Sequence, residues 1–342
     1  MKVGVYYSNS DIRVENRPIP QIGDDDILLK VMASGICGSD LMEFHRIKKA
    51  PFVPGHELAG IIEKTGKNVT EYKPGERLFV THHVPCDSCR ECQRGCKTQC
   101  EDFKKINNFS PGGFAPFIKV SGRSLKTGTI RLPSEMSYEQ ASFIEPLGTV
   151  VEISETLEGD TVLVFGAGVA GLLNIQLAKA CGAGKLIAVD INEERLKAAK
   201  QFGAAFVVNA KDYTPDFVKQ VNDGKLADRV IICTGASSAT ELAFDSYEQG
   251  GKIIFFATPQ EHKETKIQWY RHWRNGLTIR VTYGATPRSN YTAFWLIKNK
   301  VVNVDDMITH RLPLVQIAKG FELAAKGRGL KILIKPHGNE DG

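Results

Sequence analysis

The sequence predicts an α/β protein with two domains, an antiparallel β-barrel-like domain and a doubly wound parallel sheet. Its 342 residues favour two domains, because one domain usually takes roughly 100 to 200 residues. Short apolar runs separated by turn residues fill the first half of the chain, and apolar strands alternate with helix-period segments in the second. These two rhythms are typical of antiparallel and parallel sheets respectively.

The first domain is predicted from strands that are divided by Gly, Asp, Pro and Lys turns. Turns are predicted at 23–26, 64–67 and 73–76. The predicted strands are 3–7, 27–32, 58–62, 77–80 and 114–120.

The second domain is predicted from alternation that starts near residue 161 and ends near Gly284. Helices are expected at 170–181 and 192–202, between the strands 162–165, 186–189, 206–208, 230–233, 253–256 and 277–281. The last apolar run, 331–335, has no partner of its own and is expected to return to the first domain. The predicted domains are therefore 1–150 with 289–342, and 151–288.

Charge and hydropathy exclude several classes of partner. The chain has 44 Lys and Arg against 39 Asp and Glu, a net charge of +5 without clustering. This is too little to predict nucleic acid or a membrane surface as a partner. No signal-peptide-like or membrane-spanning apolar run occurs, and a cytoplasmic location is the expectation. The aromatic and basic stretch 269–274 is predicted to be a helix used in packing or a subunit contact, in preference to stacking on nucleic acid.

A dinucleotide site is predicted where a strand enters the motif Gly166-Ala-Gly168-Val-Ala170-Gly171 and then a helix. The glycines permit a tight turn and close approach to a pyrophosphate, which the helix N-terminus attracts. Asp190 ends the next strand and can accept hydrogen bonds from a ribose, while its charge disfavours a 2′-phosphate. NAD is therefore predicted over NADP. Arg195 is a candidate to lie over the adenine, or a solvated arginine on a helix face.

Five of the eight cysteines fall within fifteen residues, which indicates metal binding in an intracellular protein. Four of them suit the closed, tetrahedral set of a structural zinc. Cys96 is a fifth thiol that could replace Cys100, and a redox switch or a nucleic-acid-binding zinc ribbon are alternatives. The predicted ligands are Cys86, Cys89, Cys92 and Cys100.

A second metal site is suggested upstream, where Cys37 and His56 lie beside glycine-marked turns in Gly-Ile-Cys-Gly-Ser-Asp and Pro-Gly-His-Glu. Cys, His and a carboxylate leave room for an exchangeable fourth ligand, as a catalytic zinc requires. From the residues alone, Cys37 as a buried apolar side chain and His56 as a structural histidine are equally good interpretations.

The order of motifs resembles the zinc-dependent medium-chain alcohol dehydrogenases, in particular the sorbitol (polyol) and L-threonine dehydrogenase branch. Cys-Gly-Ser-Asp, Gly-His-Glu, the cysteine loop, Glu-Pro-Leu at Glu145 and the glycine motif follow one another as in that family. The segments 308–314 and 329–335 also resemble polyol dehydrogenases. The resemblance implies a GroES-like catalytic domain, a Rossmann NAD-binding domain, two zinc ions per chain, and a homodimer or homotetramer.

The resemblance also implies roles for individual residues. Cys37, His56 and Glu57 would bind the catalytic zinc, and Glu145 would be a direct, exchanging or water-bridged ligand. Asp40 would fix the tautomer of His56.

Ser39 would accept the proton of a secondary alcohol whose hydride passes to the nicotinamide. The family's relay histidine, five residues after the cysteine, is replaced here by Met42. Glu43, His45 or water is therefore expected to take its place. Glu43 also stands where polyol dehydrogenases have an aromatic residue on the substrate side, so a charged or unusually polar substrate is an expectation.

The sequence thus predicts an NAD-dependent, zinc-dependent oxidoreductase that acts on a polyol, sugar or related polyhydroxylated compound. The alternative within enzymes is L-threonine 3-dehydrogenase. Ser39, where a threonine is common in that enzyme, and the polyol-like tail favour the first choice. From another class, a non-catalytic zinc- and NAD-binding sensor is the alternative.

Overall fold

The computed structural model describes residues 1–259, 263–281 and 283–338. The strands are, in chain order, β1 (Lys2–Ser8), β2 (Asp11–Asn16), β3 (Ile27–Gly35), β4 (Glu57–Thr65), β5 (Arg77–Val80), β6 (Phe109–Ser110), β7 (Phe117–Val120), β8 (Thr129–Arg131), β9 (Thr161–Phe165), β10 (Lys185–Asp190), β11 (Phe206–Asn209), β12 (Ala227–Ile232), β13 (Tyr247–Phe255), β14 (Thr278–Val281), β15 (Ile308–Pro313) and β16 (Lys331–Lys335).

The helices of the described ranges are four to twelve residues long. They are α1 (Glu43–Arg46), α2 (Arg90–Gln93), α3 (Glu101–Lys105), α4 (Gly122–Thr127), α5 (Tyr138–Ala141), α6 (Ile144–Ile153), α7 (Val169–Ala180), α8 (Glu193–Gln201), α9 (Pro215–Val221), α10 (Ser237–Asp245), α11 (Trp269–Arg274), α12 (Pro287–Lys298) and α13 (Ile317–Ala325).

One sheet is curled and mostly antiparallel. Its strands run in the order β15-β16-β3-β4-β5-β8, and β7 pairs with both β3 and β6. β15 and β16 are parallel to each other, so the last strand of the chain joins β3 from the first half. Apolar side chains of β3, among them Ile27, Leu29 and Val31, are fully buried in the core of this sheet.

The other large sheet is parallel throughout, in the order β11-β10-β9-β12-β13-β14. Strands buried on both faces need continuous apolar runs, and all five residues of β9 are buried. The strand order reverses at β9, which pairs with β10 on one side and β12 on the other. In such sheets the loop after this strand is where dinucleotides bind.

The contacts divide the chain into two compact units. The first consists of Met1–Thr149, Gly284–Asn299 and Val304–Gly342, and the second of Val150–Tyr283 and Lys300–Asn303. The first unit is therefore built from both ends of the sequence. The first unit resumes at Gly284, whereas the predicted boundary lies at 288/289. The whole of α12 therefore belongs to the first unit. The last four residues of the predicted segment 289–342 lie outside the described residues.

The predicted fold class, an α/β protein with an antiparallel barrel-like sheet and a doubly wound parallel sheet, is confirmed. The expected helix at 269–274 is present as α11. None of the helices in the described ranges is both long and apolar enough to cross a bilayer.

Candidate active site and cofactor turn

The turn after β3 holds Cys37, Ser39 and Asp40 in fixed positions. Residues Gly38–Leu41 form a single 3-10 turn, and Cys37 caps it. The Sγ of Cys37 accepts the Ser39 N–H at 3.4 Å, while Asp40 Oδ2 accepts the Cys37 N–H at 3.1 Å. This reciprocal capping closes the turn and leaves the thiol and the hydroxyl on one side of it.

His56 and Glu57 reach the same place from the start of β4. Gly55 precedes them with a φ of +96°, and a Cβ there would lie 2.8 Å from the Phe114 backbone nitrogen, so only glycine fits. The antiparallel register pairs Gly35 with Glu57, which brings the end of β3 and the start of β4 together.

The ligand atoms of Cys37, His56 and Glu57 all lie within 4.8 Å of one another, close enough for one metal ion. A thiolate, an imidazole and a carboxylate suit zinc, and three protein ligands leave a fourth position open. Ser39 Oγ lies 3.3 Å from Cys37 Sγ and 3.4 Å from His56 Nε2. Glu145, in the first turn of α6, is buried near these residues but does not belong to that set of three.

Charge around the three donors favours a bound cation. Burial on its own lowers the pKa of His56, but the carboxylate of Asp40 and the thiolate of Cys37 raise it to about 10. Asp40 Oδ1 lies 3.6 Å from His56 Nδ1, a contact that needs a small movement to become a hydrogen bond. Burial raises the pKa of Glu145 to about 7. A zinc ion would relieve both effects, because it favours the neutral imidazole and the ionised carboxylate.

Glu57 has a buried cationic partner. Lys331, on β16, places its Nζ 2.5 Å from Glu57 Oε2, and both side chains are almost completely buried. The same ammonium group lies 5.3 Å from the centre of the Phe143 ring. One oxygen of Glu57 is thus engaged by Lys331, and the other is left for a metal ion.

Arg46 holds the turn that carries Ser39. Its Nε donates to the Ser39 carbonyl and its Nη2 to the Ser39 hydroxyl, both at 2.9 Å. Glu43 is exposed and accepts the Asn9 N–H through Oε1 at 3.0 Å, and His45 is also exposed. Glu43, one of the two side chains expected to replace the relay histidine, is thus bonded to the backbone of β1–β2 turn residue Asn9.

His82 adds a second imidazole beside the three candidate metal ligands. Its ring centre lies 5.1 Å from that of His56 and 5.8 Å from that of Phe109. Burial and the neighbouring His83 hold the pKa of His82 well below its ordinary value. Its Nδ1 is buried without a hydrogen-bond partner among the described atoms.

The cysteine loop brings four sulfur atoms together. The Sγ atoms of Cys86, Cys89, Cys92 and Cys100 all lie within 4.8 Å of one another. Hydrogen bonds from Ser88, and from the Cys89 N–H at 3.2 Å, lower the pKa of Cys86 to about 6. Four thiolates with no open position fit a structural zinc.

Cys96 stays outside this group. It is exposed, and its thiol lies 4.0 Å from the Arg94 carbonyl.

The turn after β9 has the geometry of a dinucleotide-binding loop. Gly166 has a φ of +92°, and a Cβ at Gly171 would lie 1.9 Å from the Gly166 carbonyl oxygen. Gly168 caps α7, and Ala170 and Gly171 lie in its first turn. Free N–H groups at that helix N-terminus suit a pyrophosphate.

Asp190 and Arg195 flank this turn. The Asp190 carboxylate accepts the Ala167 N–H at 2.7 Å and the Asn192 N–H at 2.8 Å. A carboxylate has about four acceptor positions, so capacity remains for ribose hydroxyls. The Arg195 side chain lies near Gly168, because a Cβ built on that glycine would be 3.9 Å from Arg195 Nη1. The Nε of Arg195 is buried and has no hydrogen-bond partner in the described part of the chain.

Comparison with known proteins assigns the chain to one family. The model of the alcohol dehydrogenase GroES-like domain matches residues 23–133, and that of the zinc-binding dehydrogenases matches residues 169–299. The chain belongs to the zinc-dependent medium-chain alcohol dehydrogenases. As a member of this family it is an oxidoreductase that uses NAD and holds two zinc ions per chain.

Relatives of this medium-chain dehydrogenase act on different alcohols. L-threonine 3-dehydrogenase of Bacillus subtilis (strain 168) is 34% identical over 93% of each chain. Sorbitol dehydrogenase of Rattus norvegicus is 31% identical over 98% of this chain and 96% of its own. The structure of galactitol-1-phosphate dehydrogenase from Escherichia coli has a TM-score of 0.86 at 28% identity, covering 98% of this chain and 100% of its own.

Sequence reasoning missed three residues that surround the dehydrogenase's proposed catalytic zinc site. The sequence offered one indication of Arg46, because this arginine lies in the segment where Met42 replaces the expected relay histidine. Lys331 was visible only as a charge at the start of an apolar run, which is unusual in a buried strand. His82 had no signal of its own.

Proposed function

We propose that this enzyme transfers a hydride between NAD and a secondary alcohol of a polyol, sugar or related polyhydroxylated compound. The observation that carries the proposal is the set formed by Cys37, His56 and Glu57, with the Ser39 hydroxyl within 3.4 Å of two of the ligand atoms. That arrangement suits a metal with an open position and a proton acceptor beside it.

Cys37, His56 and Glu57 would hold the catalytic zinc, with Glu145 as a direct, exchanging or water-bridged ligand. When bound there, zinc polarises the oxygen of an alcohol or carbonyl as a Lewis acid. Cys86, Cys89, Cys92 and Cys100 would hold the structural zinc. Asp40 would orient the His56 ring, since its carboxylate already faces Nδ1.

Ser39 would take the hydroxyl proton of the substrate. Its oxygen can accept one proton while its own proton leaves, so the serine never has to carry a charge. The cofactor supplies the acceptor for the hydride.

NAD is proposed over NADP on account of Asp190. Its carboxylate can accept ribose hydroxyls, whereas a 2′-phosphate beside it would meet like charge. Ile191 and Asn192, which follow, bring no cation. Equilibrium titration with both cofactors tests this, and equal affinity for NADP would contradict it.

A polyhydroxylated substrate is supported by the resemblance to sorbitol dehydrogenase over nearly the whole chain. L-threonine is the second candidate, because the threonine 3-dehydrogenase relative is slightly more similar. A panel of polyols, inositols, aldonic acids, sugar phosphates and L-threonine, tested at fixed NAD, decides between them. Rapid NAD reduction with threonine and none with polyols would reject the first choice.

A non-catalytic sensor would bind metal differently. The enzyme is expected to contain about two zinc ions per chain, one of which a chelator removes easily with loss of activity. A single zinc held by the cysteine loop, with no turnover on any substrate of the panel, would favour the sensor.

We also propose that the protein is a homodimer or homotetramer. β14 is an edge strand of the parallel sheet, and Val281 on it is 66% exposed. Trp269, Tyr270 and Trp273 of α11 are exposed as well. An exposed apolar edge favours pairing with a second copy, because backbone donors and acceptors there lack strand partners.

The oligomeric state is tested by measuring the native mass of Val281→Lys, because a lysine on an edge strand opposes pairing. A lower mass than wild type is expected. Val315→Lys is the matched control, since Val315 is exposed in the first unit. An unchanged mass for both variants would exclude β14 as the contact.

A cytoplasmic location is proposed too, supported by eight cysteines that form no disulfide.

A further inference from the structure

One guanidinium group holds the residue proposed to accept the substrate proton. Arg46 donates to both the backbone carbonyl and the side-chain hydroxyl of Ser39, at 2.9 Å each. Its Nη2 also lies 3.3 Å from Asp40 Oδ1. The Arg46 side chain is only 15% exposed, so these contacts form away from bulk water.

The contacts restrict the Ser39 hydroxyl to one orientation. Arg46 occupies one lone pair of Oγ from one direction, while Cys37 Sγ and His56 Nε2 lie 3.3 and 3.4 Å away. A planar guanidinium that binds two oxygens of the same residue fixes the side-chain torsion more firmly than a single bond does. The hydroxyl proton and the remaining lone pair therefore face the side of the two ligand atoms.

We propose that Arg46 is a positioning residue for proton transfer at Ser39. The inference rests on the proposed function, in which Ser39 takes the substrate proton. Arg46 orients the Ser39 hydroxyl by donating to it. It does not accept the proton itself, because an arginine keeps its proton at every working pH.

This assignment determines where the proton goes. The hydroxyl proton of the substrate would pass to Ser39 Oγ and the original Ser39 proton would leave to water, while NAD, when bound, would supply the acceptor for the hydride. Arg46 neither gains nor loses a proton in this sequence.

Two other side chains of the same segment are poorly suited to positioning the Ser39 hydroxyl. Glu43 is exposed and bonded to the Asn9 backbone. Met42, which replaces the relay histidine, offers only a weak thioether acceptor.

The test compares Arg46→Met and Arg46→Lys with Arg13→Met. Methionine has a similar length without donors, and lysine keeps the charge without the planar fork. Arg13 is an exposed arginine paired with Asp11, which makes it a matched control. The probe is the compound of the substrate panel that the wild-type holoenzyme oxidises fastest. No oxidation of any compound of that panel would reject the proposed function, and the role inferred for Arg46 with it.

Arg46→Met is expected to lower kcat by about 30- to 100-fold, the scale of a misplaced reacting group, while KM changes by less than about threefold. The solvent deuterium isotope effect on kcat should rise, and added guanidinium ion at low concentration should restore part of the rate. Arg46→Lys should lie between Arg46→Met and wild type. Zinc content, the dissociation constant for NAD and the melting temperature should stay close to those of Arg13→Met.

Two results would overturn the assignment. One is a kcat for Arg46→Met within about threefold of wild type. The other is a loss of rate that accompanies loss of zinc and is not restored by guanidinium ion, because this would show that Arg46 only supports the fold of the turn.

Discussion

Lys331 Nζ lies 2.5 Å from Glu57 Oε2, and the two side chains are 2% and 1% exposed. These residues are 274 positions apart in sequence, so the ion pair joins the last strand of the chain to the turn that carries the proposed zinc ligands. A buried ion pair contributes little net stability, but losing one partner is costly because the other charge remains buried.

Lys331→Met is therefore expected to lower the free energy of unfolding by about 3 to 5 kcal/mol. The measurement is denaturant unfolding of chelator-treated protein, because zinc at Glu57 would replace the missing positive charge. Adding Glu57→Gln to the variant should recover part of the loss. Lys185→Met is the control, since the partner of Lys185, Asp223, is 90% exposed. It should cost less than about 1 kcal/mol. Equal losses for the two lysines would contradict the argument.

Glu145 predicts a pH dependence of the chelator-treated protein. Burial raises its pKa from 4.5 to about 7, so the folded state binds this proton more tightly than the unfolded state does. The stability from this group is complete below about pH 4.5 and is lost as pH rises to about 7. The loss of stability is on the order of 3 kcal/mol, because a difference of one in pKa corresponds to about 1.4 kcal/mol.

The free energy of unfolding of the wild type should fall between pH 4.5 and 7, and Glu145→Gln should remove the part of this decrease that Glu145 causes. Glu135→Gln, at an exposed position, is the control. His56 adds a further loss at higher pH, since its pKa is raised to about 10. A Glu145→Gln profile with the wild-type slope would show that this carboxyl is not the titrating group.

The cysteine loop predicts unequal effects for two neighbouring thiols. Cys100 is buried and its Sγ lies within 4.8 Å of the three other sulfurs, whereas Cys96 is exposed and lies outside that group. Cys100→Ser should reduce the zinc content by one ion per chain and destabilise the protein by about 4 kcal/mol or more, as loss of a structural metal does. Cys96→Ser should keep both ions and the wild-type melting temperature. Zinc loss in Cys96→Ser would mean that the ligand set was assigned wrongly.

The sequence was sufficient for the features that depend on local order. The glycine turn after β9 and the four-cysteine loop are short motifs whose spacing determines their geometry. The residues around the proposed catalytic zinc depend on more than a motif. Arg46 reaches Ser39, seven positions away, through the orientation of one short helix. Lys331 reaches Glu57 because β16 pairs with β3, and no local pattern encodes that contact, since it arises only when distant strands take their register.

Gly171 provides a test of the cofactor turn that does not depend on catalysis. A Cβ at this position would lie 1.9 Å from the Gly166 carbonyl oxygen, so α7 and the turn must separate to admit it. Gly171→Ala should raise the NAD dissociation constant by at least about tenfold, equal to about 1.4 kcal/mol. It should also cost about 1 to 3 kcal/mol of stability through overpacking.

Gly38→Ala is the matched control, because a Cβ there meets nothing within 4 Å. Its affinity for NAD, measured by equilibrium titration, should match the wild type. Wild-type affinity in Gly171→Ala would show that the turn tolerates a wider separation from α7. The close approach of Gly171 to Gly166 would then not be needed for cofactor binding.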